Sequence, residues 1–243
     1  MKLWIKLIHS FCRKELQIKS IVLSSYIYKL IQEGEHQQQD FKYCINDSKK
    51  IAKSLVAFAN TDGGRLLLGI KDNGKIAGIK TDEEFYMVEA AAKIYSKPTI
   101  TFLTQQWQVE GKTVLEIQIE PSKTKPHFAS DENGKWLAYL RVGDENYLAH
   151  KIQINVWEKS RSHEGIHFTY SEHEKFLIDY LQNNPSITIS KFIRLAHVSR
   201  NKADEVLTNF VIMDVIKMKT QKDGTLFELN TMFDEKTLEK FKP

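Results

Sequence analysis

A chain of 243 residues with 42% hydrophobic and 27% charged residues is ordinary globular stock, long enough for one large domain and one small one. Its two cysteines, Cys12 and Cys44, make no C-x-x-C pair and no disulfide framework, which points to a reducing compartment, the cytoplasm. The net charge of +4 suggests nucleic acid, but residues 1–30 hold six Lys/Arg against one acid, whereas 31–170 hold 18 against 19 and 171–243 hold 11 against 11, so bulk charge outside the first segment excludes nothing and any nucleic-acid surface there must come from clustering.

Residues 1–24, MKLWIKLIHSFCRKELQIKSIVLS, form a basic apolar extension. Lys2, Lys6, Arg13, Lys14 and Lys19 keep every window short of the roughly 18 uncharged residues of a membrane span. Lys6 also breaks the apolar run that a signal peptide needs. An ordinary packing helix is expected here, or an amphipathic helix that touches a surface or partner, or an upstream extension of the gene, since no Met recurs before Met87.

From residue 25 the pattern alternates between helix and strand. Ser24 or Ser25 caps a short helix through YIYKLIQ, FKYCI follows as a strand, and Asp47 or Ser48 caps KKIAKSLVAFAN, which places Ile51, Leu55, Phe58 and Ala59 on one side. RLLLGIK and KIAGIK are expected to pair as a hairpin about Asp72-Asn73-Gly74. TDEEFYMVEAAAKIYSK is a helix with acids in its first turn that stops before Pro98. TITFLTQQWQV and TVLEIQIE flank Glu110-Gly111-Lys112 as a second hairpin, WLAYLRVGD is another strand, and LAHKIQINVWEKS closes the domain as a helix. The result is an α+β domain over 25–160 with a mostly antiparallel sheet.

A linker over 161–170 leads to a second domain, 171–243. Ser171 and Glu174 have capping-box spacing and open a helix that Pro185 ends. SKFIRLA, the turn HVS and RNKADEVLTNFVIMDVI supply two more helices, and KMKTQKDGTLFELN two strands about Asp223-Gly224. Three helices and a terminal hairpin are the layout of a small winged helix-turn-helix domain.

Two motif matches fail on their context. Gly69 to Ile76 is one residue short of a P-loop, has Ile76 where a hydroxyl must hold magnesium, and turns strand into strand. His163-Glu164-Gly165-Ile166-His167 matches the zincin pattern, but a glycine interrupts it and it lies in the linker, where no regular helix can aim both imidazoles at one metal. A third match covers more of the chain. Glu35, Asp40-Phe41-Lys42, AFANTDGG (57–64), LLLGIKDNGKIAG (66–78), KPHF and YLRVGDENYLA (139–149) resemble, in order and spacing, the Schlafen AlbA-like domain found widely in bacterial proteins. The resemblance implies an α+β domain related to Alba-type nucleic-acid binders, often followed by a winged helix.

It also implies a candidate site. Ribonucleases of this superfamily use three acids, and the matching positions here are Glu35, Asp40 and Asp72, catalytic and metal-ligating for Mg or Mn if the chain is a nuclease. Asp40 departs from the pattern, being one methylene shorter than the expected Glu. The three carboxylates would have to converge within roughly 6 Å of a common point to share a metal. AFANTDGG admits two readings: a helix end with a tight backbone turn, or amides that face a phosphate.

For nucleic-acid contact the candidates are Arg200, Asn201 and Lys202 at the start of the expected recognition helix, Lys217, Lys219 and Lys222 on the wing, and Lys125 and Arg141, with Lys123, His127 and Tyr147 beside them, in the first domain. Asp204, Glu205 and Asp214 share the recognition helix and oppose a phosphate backbone. The expected function is therefore a nucleic-acid-binding protein, a DNA-binding transcription-regulator type acting on DNA rather than RNA as a homodimer. A metal-dependent endoribonuclease and a protein-interaction adaptor are the alternatives.

Overall fold

The computed structural model describes residues 25–162 and 168–233. The extension over 1–24 and the His163–His167 motif lie outside the described residues. The chain divides into two compact units, the first running through Lys123 and including His127–Asn146, the second comprising Thr124–Pro126 and the chain from Tyr147.

The first unit opens with a helix, α1, over 25–33. It continues through β1 (Gln39–Lys42), α2 (Ser48–Asn60), β2 (Gly64–Leu68), α3 (Glu83–Lys93), β3 (Ser96–Lys97), β4 (Leu103–Val109), β5 (Lys112–Ile119), β6 (Phe128–Ser130), β7 (Trp136–Leu137), β8 (Tyr139–Val142) and β9 (Glu145–Leu148). The main sheet has the order β1-β2-β5-β4, a second sheet the order β3-β6-β7, and β8 and β9 make a hairpin. Only β1 and β2 run parallel, and the other pairs in these two sheets are antiparallel, as the sequence pattern required.

Leu66-Leu67-Leu68 is an unbroken apolar run because β2 lies between β1 and β5 with both faces covered. Leu66 and Leu68, with Leu115, Ile117 and Ile119, pack against residues of α2 and α3. Leu67 and Val114 face the other way, toward Ile27 and Leu30 of α1 and Phe41 of β1. Asp47, not Ser48, caps α2, its carboxylate accepting the Lys49 N–H at 2.8 Å. The β4–β5 hairpin turns on Glu110 and Gly111, both with positive φ (51° and 72°), the hand that a two-residue turn needs.

Two expected strands form differently. The turn at Asp72-Asn73-Gly74 is present, with Lys71 N–H bonded to Lys75 O at 3.0 Å, but only Ile70 and Ile76 bridge across it. KIAGIK is not a strand, because β2 already spends its edges on β1 and β5. WLAYLRVGD divides into β7 and β8, which belong to different sheets.

The second unit holds α4 (Lys151–Arg161), α5 (Glu172–Asn183), α6 (Ile189–Leu195), α7 (Arg200–Ile212) and the antiparallel hairpin of β10 (Ile216–Gln221) and β11 (Gly224–Leu229). Ser171 and Glu174 form the expected capping box. Ile187 exchanges two 2.9 Å backbone bonds with Phe227, which fastens the hairpin beside the helices. The helix expected to close the first domain instead supplies Ile152 and Val156 to the second core, since its buried side packs on α7.

Candidate nucleic-acid interface

The polar stretch around β1 is a network that ties the first unit together. Glu35 accepts the Phe41 N–H at 2.8 Å. The Gln37 amide bridges Asp62 Oδ2, Arg141 O and the Gly143 N–H, each at 2.9 Å. Buried Gln39 donates to Leu30 O and Gly34 O at 2.7 Å, fixing the end of α1. Asp40 is 4% exposed and pairs with Lys42 Nζ at 2.9 Å and with the Arg141 guanidinium at 3.6 Å. Burial, with the neighbouring Asp40 carboxylate, raises the pKa of Glu35 above its ordinary value.

Glu35 and Asp40 are therefore neighbours, but Asp72 does not complete a centre with them. Asp72 sits exposed on its turn, and among the described residues no group of three His, Cys, Asp or Glu side chains is placed to hold a metal ion. The donor set does not fit the Mg or Mn that the resemblance implied. The short Asp40 side chain is held by two cations, and one Glu35 oxygen is committed to the Phe41 amide.

Arg141, expected on a phosphate-binding surface, is 2% exposed. Its guanidinium donates to Gln39 O at 3.0 Å, His36 O at 3.3 Å and Asn146 Oδ1 at 3.2 Å, and lies 5.1 Å from the Phe58 ring centre. A fork with its donors spent inside cannot also clamp a phosphate. His127 is buried too, with Nδ1 2.9 Å from Pro98 O and Nε2 2.7 Å from Ser122 Oγ. Lys125 is half-buried and Lys123 exposed.

AFANTDGG takes the structural of its two readings. Asn60 is buried, donates to His127 O and Tyr139 O at 2.9 and 2.8 Å, and accepts the His127 N–H at 2.8 Å. The Gly63 amide donates to Phe58 O at 3.0 Å instead of facing outward. A Cβ on Gly63 would meet Ile119 O at 2.6 Å, and one on Gly64 the Phe58 ring at the same distance, so close packing demands both glycines.

In the second unit Ser199 caps α7 through the Lys202 N–H, and Arg200 and Asn201 are exposed on its first turn. Arg200 Nε lies 3.2 Å from Asp204 Oδ1, and Lys202 Nζ 3.2 Å from Glu205 and 3.7 Å from Glu174. Beyond that turn much of α7 is buried, although Glu205 stays exposed. Lys151 Nζ reaches Asp204 Oδ2 at 3.0 Å and Lys159 Nζ reaches Asn209 Oδ1 at 3.1 Å, while Thr208 is wholly buried. The start of the expected recognition helix is thus open at Arg200 and Asn201, while α4 packs along α7 farther on. Lys217, Lys219 and Lys222 are exposed on the hairpin, where Lys219 pairs with Glu228. At the start of α4, His150 Nδ1 accepts the Ile152 N–H at 3.2 Å, and burial first, then the Arg200 charge, lowers its pKa.

The sequence reading missed a cleft of about 270 Å³ lined by Lys49, Lys50, Lys53 and Tyr139. Its only signal, the KKIAK run, looks like the solvent face of an amphipathic helix.

Residues 35–150 match the family model described as Schlafen, AlbA_2, and this stretch of the chain is a domain of that family. No curated protein matches the chain significantly. Among solved structures, a Corynebacterium diphtheriae protein is 22% identical with a TM-score of 0.36, the alignment covering 47% of this chain and 23% of that one. The N-terminal domain of a putative ATP-dependent DNA helicase RecG-related protein from Nitrosomonas europaea is 22% identical with a TM-score of 0.38, covering 60% of this chain and 98% of that one. The chain thus spans less than a quarter of the length of the first of these structures. No helix among the described residues is long and apolar enough to cross a membrane.

Proposed function

We propose that the chain is a nucleic-acid-binding protein of the transcription-regulator type that engages double-stranded DNA through its second unit. The observation that carries this reading is the succession of α6, a four-residue turn, α7 and the β10–β11 hairpin, with Arg200, Asn201, Lys217 and Lys222 exposed at the ends that a winged helix-turn-helix turns toward a duplex. Phosphate contacts by Lys217, Lys219 and Lys222 would position the unit, and Asn201 would reach a base edge. A homodimer belongs to this reading, because one helix reads one half-site.

The test is duplex binding measured against salt. Lys217→Gln with Lys222→Gln is expected to weaken binding on all sequences and to flatten the log–log salt slope by about 2, while Arg200→Ala weakens binding at a chosen site. Binding that ignores all three substitutions would remove the reading. A protein-interaction adaptor is the second reading, favoured by the cover that α4 lays over α7. It predicts no salt-sensitive duplex binding, and a partner lost on substitution at the hairpin.

A further inference from the structure

The cleft beside α2 is lined by residues of the first unit, whereas the residues assigned to duplex binding belong to the second. Its floor is Ala129 and Ser130 of β6, and Lys49, Lys50 and Lys53 of α2 stand on one wall with Tyr139. At about 270 Å³ it is near the small end of ligand pockets, which run from about 300 to 1,000 Å³, so it has room for one nucleotide unit and little more.

The surroundings repeat one device three times. Lys49 Nζ stands 5.7 Å from the centre of the Tyr95 ring, Lys53 Nζ 5.0 Å from Tyr139, and Lys97 Nζ 4.3 Å from Trp136. The last pair joins the cleft through strand register: Ser130 lies opposite Trp136 and Lys97 opposite Phe128, and alternation along β6 puts all four side chains on one face.

Asp47, Asp131 and Glu132 also line the cleft and match its three lysines in number, so what leaves a lysine available to a ligand is the lack of direct pairing, not a surplus of charge. Asp47 accepts the Lys49 amide, Asp131 Oδ1 accepts the Asn133 and Lys135 amides at 2.9 and 2.7 Å, and Lys49 Nζ donates to the Glu132 carbonyl at 3.4 Å. Among the described residues no carboxylate comes within ion-pair distance of Lys50, Lys53 or Lys97. An ammonium over a ring is held weakly and can pass to a phosphate, which frees the ring face.

We infer that this cleft binds single-stranded nucleic acid, one unpaired base stacking on Tyr139 while Lys50 and Lys53 take the flanking phosphates. Rings paired with cations suit a single strand, whose base faces are open, better than a duplex, whose bases are already stacked. Trp136 and Lys97 extend the track to a second nucleotide.

The experiment follows anisotropy of a labelled twelve-residue oligothymidine and of a labelled duplex on the full chain, across a salt series. Tyr139→Leu is expected to weaken single-strand binding about fivefold or more. Lys50→Gln with Lys53→Gln, both on the solvent side of α2, should reduce the single-strand salt slope by about 1.4 and provides the readout should Tyr139→Leu fail to fold. Neither change should alter duplex binding. Duplex binding lost without loss of the single strand would sink the regulator reading and leave this site standing. Absence of single-strand binding, or binding that both variants leave intact, would overturn the site. Sensitivity to the lysines but not to a folded Tyr139→Leu would also overturn it, marking an acidic partner with no stacked base.

Discussion

The polar stretch around β1 and the lysine-lined cleft beside α2 belong to the same unit and use the same residue types for opposite ends. Around β1, charges are buried and each finds a fixed partner: Asp40 meets Arg141, Arg141 meets backbone carbonyls, and Asn60 clasps His127 and Tyr139. Beside α2, Lys49 and Lys53 stand over rings, Lys49 with one long bond to the Glu132 carbonyl, and neither meets a carboxylate. A charged group that the fold has already satisfied holds structure. One held by a weak, exchangeable contact is available to a ligand.

If that contrast is sound, the largest effect comes from breaking the buried pair. Arg141→Leu should cost about 3–5 kcal/mol in urea unfolding, because buried Asp40 loses one of its two cations and the His36 and Gln39 carbonyls lose their donor. A loss below about 1 kcal/mol would return Arg141 to the list of ligand-binding residues. Asn60→Ala comes next. It strands the His127 N–H and two carbonyls, and should cost roughly 2 kcal/mol by the same measurement with nucleic-acid binding unchanged by the substitution in the protein that remains folded.

The two units should also answer acid with opposite signs. His150 has a lowered folded pKa, so the stability it contributes is present above its unfolded pKa and is lost as pH falls through the folded value; its neutral Nδ1 is what caps α4. Thermal midpoints of the second unit should fall between about pH 7.5 and pH 5.5, and His150→Asn, which can cap without titrating, should flatten that fall. Glu35 has a raised folded pKa, so its protonated form is favoured by folding and its contribution is present below the unfolded pKa and lost as pH rises through the folded value. Glu35→Gln should therefore raise the midpoint slightly at neutral pH and change nothing in acid, the smallest effect of the four. A loss of stability at neutral pH would mean that the Glu35 charge is needed.

Much of this fold can be read before any coordinates. The β4–β5 hairpin, the capping box at Ser171 and the antiparallel character of the sheet follow from local chemistry: turn residues, cap spacing and alternation. The parallel β1–β2 pairing and the split of WLAYLRVGD do not, because strand partners are chosen by distant residues competing for one edge. The site was less legible for the same reason. Arg141 and Asp40 look like solvent-facing charges in sequence, and only the fold shows both buried, 3.6 Å apart, with Lys42 and backbone carbonyls completing their contacts. Lys53 and Tyr139 are far apart in the chain, so the cleft they share has no linear signature.

The most direct measurement is incubation of labelled RNA and DNA with the purified chain in Mg²⁺ or Mn²⁺, beside Glu35→Gln and Asp40→Asn, scoring both retention and cleavage. The structure predicts salt-sensitive retention of uncut nucleic acid, which neither substitution abolishes in folded protein. Metal-dependent cutting that both substitutions abolish would contradict it, and would make the β1 carboxylates a catalytic centre.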